Sequence, residues 1–393
     1  MKKILYVFDN INYMSGAQKV TLYQIDQLKY KYNISVFSLK EPEQHLLSKE
    51  INVIGEEIWK MYSHFGSSLK SVIFDKRITF LQKYIRIKYA VFSKLKLVEN
   101  YIKILLGDKL TNVFENFDIV IVVSEASKLR ELVGELKNPK KIQWIHTDYI
   151  KWSEFSSWTK DITKNDAFLY KKFNNIVLLS EFSKKNMADK YPHLNDKMVV
   201  IPNLILGEDI LNKSKEDSDI KLSKSCINLI TVGRLEKEKN YDGILDICKM
   251  LKSDAIEYKW YIVGSGNLRK HLESRIKSED LSDRVTLLGN LDNPISIMKK
   301  CDWFVLLSDY EGTPVTIDEA KVIGLPVIAL DRGGIKEQLM DAYGILLQDE
   351  GDIYRKFVQG VIMKNHIQGG YNYVNSNLEI KVKLDELYKE TCS

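Results

Sequence analysis

The stretch Trp303-Phe304-Val305-Leu306-Leu307-Ser308-Asp309-Tyr310-Glu311-Gly312-Thr313-Pro314-Val315-Thr316-Ile317-Asp318-Glu319-Ala320 runs from five apolar residues through a short turn into a helical pattern opened by Thr-Pro. A short continuous apolar run suits a strand buried on both faces. Thr313 is a good N-cap, and Pro314 suits the first helical position, where its missing N–H would have no partner in any case. The spacing predicts a strand over 303–307 and a helix over 314–323. The amides of Val315 and Thr316 then point out of the helix end, where unpaired N–H groups and the dipole favour an anion such as phosphate. Glu311 precedes this turn, and Glu319 lies about one and a half turns into the helix. Carboxylates beside a phosphate are suited to neutral hydroxyls, which they bind as charged acceptors.

Outward from this stretch, short apolar runs keep alternating with helical patterns, the signature of βα units on a parallel sheet. In the second half, strands are expected over 227–232, 258–263, 285–288, 327–329 and 345–347, and helices over 242–251, 268–277, 335–340 and 353–363. In the first half, strands are expected over 4–8, 34–39, 51–54, 118–123, 141–146, 176–180 and 198–201, with helices over 18–28 and 183–190. Residues 212–225, rich in Lys, Ser, Asp and Glu, have little to bury and read as an exposed loop. The expected organisation is two doubly wound α/β domains, over 1–203 and 226–365. A polar linker over 204–225 joins them, and a tail over 366–393 ends in a helix returning toward the first domain. Ligands of open parallel sheets bind outside the carboxyl ends of the strands, so a central cleft faced by both domains is the expected site.

Length and composition agree with this reading. A chain of 393 residues with 45% apolar and 28% charged residues exceeds one core and is neither collagenous, disordered nor a small disulfide scaffold. Cys226, Cys248, Cys301 and Cys392 lie far apart without a C-x-x-C pair, which suggests neither a zinc site nor a disulfide framework and fits a reducing cytoplasm. No apolar stretch approaches the roughly 18–20 residues of a membrane span. The chain is therefore expected to be cytoplasmic.

Net charge is only +5, yet residues 68–112 carry ten Lys and Arg against three Asp and Glu, so the remainder is slightly acidic. Within this segment Phe74, Ile78, Leu81, Ile85, Tyr89 and Phe92 recur at spacings of three and four, the stripe of an amphipathic helix. Two readings stay open. In one, the stripe packs on a sheet while the lysines remain solvated. In the other, Lys76, Arg77, Lys83, Arg86, Lys88, Lys94 and Lys96 meet an anionic membrane surface, placing the protein peripherally on the inner face of the plasma membrane. Nucleic acid is not an expected partner, because no recognisable binding motif accompanies the patch.

A second chemical element is Thr231-Val232-Gly233-Arg234-Leu235-Glu236-Lys237-Glu238-Lys239, after the first strand of the second half. Gly233 lets the backbone turn closely, and Arg234 and Lys239 suit a diphosphate. Together with Glu311, Gly312, Pro314 and Glu319, these residues resemble the donor-binding domain of the retaining GT-B glycosyltransferases, specifically family 4 (glycosyl transferases group 1). The resemblance covers 227–347, and its Val-Gly-x-Gly and Gly-Gly-x-x-Glu patterns fit Val263-Gly264-Ser265-Gly266 and Gly333, Gly334 and Glu337. It implies that Glu319 accepts bonds from the ribose of a nucleotide, Glu311 holds a hydroxyl of the donor sugar, and Arg234 with Lys239 binds the diphosphate. Gly264, Thr313, Val315 and Thr316 complete the donor pocket, with Thr313 where the family commonly has an aromatic residue. In the first half, Ser15-Gly16-Ala17-Gln18 resembles the family's Gly-Gly-Ala loop, with Ser15 replacing the first glycine. His146 matches the family histidine near the reacting sugar.

The resemblance implies transfer with retention of a hexose or N-acetylhexosamine from a nucleotide-diphosphate sugar, UDP by family precedent. The acceptor is a glycan or polyprenyl-linked oligosaccharide of bacterial surface polysaccharide synthesis. Positive groups at the departing diphosphate replace a divalent ion, so neither cofactor nor metal is expected; the D-x-D triplet Asp217-Ser218-Asp219 falls in the polar loop. A nicotinamide-dependent dehydrogenase is disfavoured because Gly264-Ser265-Gly266-Asn267-Leu268-Arg269 lacks the third glycine, and a phosphorylase by the missing cofactor-lysine features and the short chain. A nucleotide-sugar epimerase of the same fold and a non-catalytic transferase subunit remain as alternatives.

Overall fold

The computed structural model describes residues 1–12, 15–43, 45–62, 68–95, 97–340, 343–348, 353–363 and 371–389. It divides into two compact units, one of residues 1–202 with the chain's end from Val382, the other Asn203–Lys381.

The first unit is built on a seven-stranded parallel sheet of β1 (Lys3–Phe8), β2 (Asn33–Ser38), β3 (Asn52–Ile54), β4 (Ile119–Val122), β5 (Lys140–Ile145), β6 (Asn175–Leu178) and β7 (Met198–Val200), in the order β3-β2-β1-β4-β5-β6-β7. At its centre β4 is wholly apolar and β1 is apolar after Lys3, as suits strands covered on both faces: all four residues of β4 are buried, as are Ile4–Phe8 of β1. The last helix, Tyr373–Lys389, ends in this unit. There the Tyr388 and Tyr6 hydroxyls lie 2.8 Å apart, Gln24 Nε2 donates to both, and Lys140 Nζ donates to Leu387 O at 2.7 Å.

The second unit holds a six-stranded parallel sheet of β8 (Ile227–Val232), β9 (Tyr258–Val263), β10 (Val285–Gly289), β11 (Trp303–Leu306), β12 (Val327–Leu330) and β13 (Gly344–Leu347), in the order β10-β9-β8-β11-β12-β13. Its core joins Leu229, Trp260, Val305 and Ile328 of the sheet to Tyr241, Leu245 and Cys248 of the helix Tyr241–Ser253. In both sheets strand order reverses beside the first strand, between β1 and β4 and between β8 and β11. That crevice at the strands' carboxyl ends is where open α/β sheets take ligands.

Three expectations are corrected. Thr313 is not the N-cap: Pro314 takes that position at φ −65° and ψ 123°, and the helix runs Val315–Val322. The Thr313 hydroxyl instead accepts a hydrogen bond from Asn203 Nδ2 at 3.2 Å. Residues 212–225 are not a loop throughout, because 212–213 end the helix Gly207–Lys213; ahead of them, within the expected linker 204–225, Ile205, Leu206 and Ile210 are buried. The basic stripe is not one helix. Leu69–Phe74 stops at Asp75, whose carboxylate accepts the Arg77 N–H, and a new helix, Phe80–Lys94, opens with a Thr79–Gln82 capping box. Leu81 and Phe74 are exposed, Ile85 is buried and Tyr89 and Phe92 are half-buried. Lys96 lies outside the described residues. Among the described residues no helix is long and apolar enough to cross a membrane.

Candidate functional site

The loops after β8 and β11 meet at the switch point of the second sheet, and backbone bonds fix them to each other and to their neighbours. Asp309 N–H donates to Glu238 O at 2.8 Å, Gly233 N–H to Val263 O at 3.0 Å, and Leu235 N–H to Ser265 O at 2.8 Å. Two glycines make this contact sterically possible. Gly264 sits at φ +143°, and a Cβ there would lie 1.9 Å from Gly233 O; Gly333 sits at φ +55°, and a Cβ there would lie 1.7 Å from Glu311 O. The close approach expected at Gly233 is thus made by its carbonyl against Gly264, while Gly333 lets the loop after β12 seat under Glu311. Gly334 N–H completes that seat by donating to Gly312 O at 2.7 Å.

On this frame Lys239 Nζ bonds Glu311 Oε1 at 2.5 Å, with side chains 18% and 10% exposed. Lys239 ends a 3₁₀ turn, Lys237–Lys239, followed by Asn240 in the left-handed conformation capping the helix Tyr241–Ser253. Two residues far apart in sequence are therefore held as a cation–carboxylate pair in the crevice. Arg234, five residues earlier, is paired as well: its Nη2 donates to Glu238 Oε1 at 2.8 Å. Tyr241 Oη donates to Gly233 O at 2.9 Å and locks the turn from beneath. Burial raises the Tyr241 phenol, and the Glu311 and Glu238 carboxylates add to that rise, which keeps it a neutral donor.

Glu319 is buried within Val315–Val322, whose first-turn amides, those of Val315 and Thr316, have no carbonyl partner within an α-helix. Its neighbour Asp318 is buried too, and burial pushes its carboxyl up to about 6, against the lowering pull of Lys321. The structure thus gathers Gly233, Arg234, Lys239, Gly264, Glu311, Gly312 and Thr313 around one crevice. Glu238, Tyr241 and Asn203 were missed by sequence reasoning. Only Glu238 carried a signal, an acid four residues after Arg234.

In the first unit, Gly16 begins the helix Gly16–Leu28, behind a capping box in which Ser15 and Gln18 bond each other's backbone amides. Ser15 therefore replaces a loop glycine with a working N-cap. His146 follows β5, and its main-chain N–H donates to Glu125 Oε2 at 3.3 Å. Its ring stacks on Trp144 at 5.7 Å, and among the described residues neither ring nitrogen has a hydrogen-bond partner. Burial pushes the His146 imidazole down to about 4, so it is neutral at pH 7, and burial raises the Glu125 carboxyl. Asp148 caps the next helix by accepting from Lys151 N–H at 3.3 Å. After β4, Ser127 and Lys128 donate to Asp9, which follows β1, so the switch-point loops of this unit are also tied together. Alongside lies a cavity of about 570 Å³ bordered by Tyr89, Leu97, Lys128, Trp158, Asp161 and Asn165.

Two parallel α/β sheets of seven and six strands are the arrangement found in the GT-B fold. Residues 212–356 match the family model "Glycosyl transferases group 1". A Campylobacter jejuni relative, N-acetylgalactosamine-N,N'-diacetylbacillosaminyl-diphospho-undecaprenol 4-alpha-N-acetylgalactosaminyltransferase, is 29% identical over 188 residues, covering 47% of this chain and 50% of the relative. The amylovoran biosynthesis glycosyltransferase AmsK of Erwinia amylovora is 31% identical over 134 residues, 32% of this chain and 33% of the relative. The chain spans about half the length of the curated relatives it matches. Among solved structures, Anabaena HepE in complex with UDP and glucose superposes at a TM-score of 0.67 with 16% identity, covering 98% of this chain and 100% of that one.

Proposed function

We propose that this chain is a retaining glycosyltransferase that moves a hexose or N-acetylhexosamine from a UDP-sugar to a lipid-linked glycan acceptor in bacterial surface polysaccharide synthesis. The observation that carries the reading is the Lys239–Glu311 pair at the switch point, beside Arg234 and the start of Val315–Val322. A diphosphate is an anion that two cations and helix amides can share, whereas the carboxylates of Glu311 and Glu319 accept from hydroxyls of the sugar and the ribose. The names of the Campylobacter and Erwinia relatives support the lipid-linked acceptor and the polysaccharide pathway.

In the proposed reaction the bond between the sugar's anomeric carbon and the diphosphate oxygen breaks, and the acceptor oxygen bonds the same face of that carbon. The acceptor's proton passes to the leaving phosphate oxygen. Negative charge grows on the diphosphate as the bond breaks, so Arg234 and Lys239 stabilise the transition state more than the bound donor. Glu311 orients the sugar. No metal is needed under this reading, because the cations supply the charge. Release of UDP from a panel of nucleotide sugars, with and without acceptor, tests it. Acceptor-dependent release supports transfer; epimerised donor without release favours an epimerase; release in neither case refutes the enzyme assignment.

A further inference from the structure

The helix Phe80–Lys94 has two apolar faces, and only one is packed. Ile85, Tyr89 and Phe92 turn inward, where Phe92 stacks on Tyr101 at 4.8 Å and Tyr101 Oη donates to Ile85 O at 3.1 Å. On the opposite side Phe80, Tyr84, Ile87 and Val91 follow one another at spacings of four, three and four, which lines them along one helix face. They are 85%, 46%, 41% and 49% exposed. Leu81 and Leu95 beside them are exposed too, as is Phe74 at the end of the preceding helix. By helical periodicity, Lys83 and Lys94 border this stripe on one side and Lys88 on the other, with Lys88 Nζ 4.7 Å over the Tyr84 ring. No Asp or Glu occurs between Asp75 and Glu99.

An exposed apolar stripe this long marks an interaction surface. Its cationic borders require an anionic partner, and its centre requires one with a hydrocarbon interior. A second copy of the chain would set the same cations against each other with no acid on the helix to answer them. We propose that this face docks on an anionic phospholipid surface, with Phe80, Tyr84, Ile87 and Val91 at the headgroup–acyl boundary and Lys83, Lys88 and Lys94 against lipid phosphates. Tyr89 and Ser93, near the end of the same helix, border the 570 Å³ cavity of this unit. If the transferase reading holds, a lipid-borne acceptor would be delivered beside that cavity. Docking itself requires neither nucleotide nor acceptor.

The test is co-sedimentation of the full chain with vesicles of phosphatidylcholine alone and of phosphatidylcholine with phosphatidylglycerol at about one-third of the lipid, in roughly 0.1 M salt. Binding is expected only with the anionic vesicles. It should fall about fivefold for each of Lys83→Gln, Lys88→Gln and Lys94→Gln, and about tenfold or more for Ile87→Ser with Val91→Ser. These side chains are at the surface, so thermal melting and UDP affinity should stay those of the parent. Equal binding to both vesicle types, or unchanged binding of the Ile87→Ser/Val91→Ser variant, overturns the proposal. So does a lipid-independent dimer that this variant converts to monomer, which would make a second copy the occupant.

Discussion

Replacing Lys239 by Met keeps the stem and removes the ammonium 2.5 Å from Glu311 Oε1. Breaking a fully buried ion pair costs about 3–5 kcal/mol, because the remaining charge is left unpaired. Here the side chains retain 18% and 10% exposure, so water reaches the survivor and the expected loss is about 1–3 kcal/mol. Nucleotide binding depends on the same ammonium. A charge-assisted bond to the diphosphate contributes about 1.5–3 kcal/mol, a factor of roughly 10–150 in affinity. Lys239 must relinquish Glu311 when it turns to the phosphates, so the lower part of that range is expected. Urea unfolding and UDP titration calorimetry measure the two effects separately. The variant Lys239→Met with Glu311→Gln should regain most of the stability, since no charge is stranded, but none of the UDP affinity. If Lys239→Met binds UDP within about twofold of the parent, the diphosphate role is refuted whatever happens to stability.

Five further outcomes are expected. Glu311→Gln alone should abolish sugar transfer while leaving UDP affinity equal or higher, because Lys239 is released for the phosphates; steady-state kinetics and calorimetry check this. Gly333→Ala, whose Cβ would meet Glu311 O at 1.7 Å and whose φ is +55°, should displace the Glu311 loop, lower stability by about 1–3 kcal/mol and weaken UDP binding. For pH dependence, burial lowers His146 from 6.5 to about 4, so between those values the unfolded chain binds a proton that the folded chain refuses. The contribution of about 3 kcal/mol is present above roughly pH 6.5 and lost as pH falls toward 4, and His146→Gln should flatten that decline in urea melts. Asp318, raised from 3.8 to about 6, acts in the opposite sense: its contribution is present below about pH 4 and lost as pH rises through 6, so Asp318→Asn should remove a decline with rising pH. Finally, turnover should survive EDTA, and activity lost to EDTA and restored by magnesium or manganese would contradict the cation-based reading.

Much of the architecture is legible in the chain because strands covered on both faces must be apolar throughout. Runs such as Ile119–Val122 and Trp303–Leu306 announce themselves whatever their neighbours are. The charged residues at strand ends were equally visible, since Arg234, Lys239 and Glu311 fall at turns where a core has no use for them, and Glu319 follows in the helix opened by that turn. Their partners were not. The Lys239–Glu311 pair spans 72 positions and depends on β8 lying next to β11, a neighbourhood that periodicity does not encode. The requirement for Gly264 and Gly333 is likewise tertiary, arising from one backbone pressed against another. The start of Val315–Val322 was misplaced by one residue because Thr-Pro is an equally good helix opening one step earlier; bonding of Thr313 to Asn203 draws that hydroxyl away from the cap. In Phe80–Lys94 the spacing of Leu81, Ile85, Tyr89 and Phe92 was read as the only stripe, and the outward set beginning at Phe80 went unnoticed. A helix with apolar residues on two sides looks to a periodicity count like one with a single broad face.

The most direct test of the account is a crystal structure of the chain with UDP. The account predicts the diphosphate within hydrogen-bond distance of Lys239 Nζ, the Arg234 guanidinium and the amides of Val315 or Thr316, with the ribose hydroxyls on Glu319. UDP bound elsewhere, or Glu319 turned away from the ribose while Lys239 still holds Glu311, would contradict it.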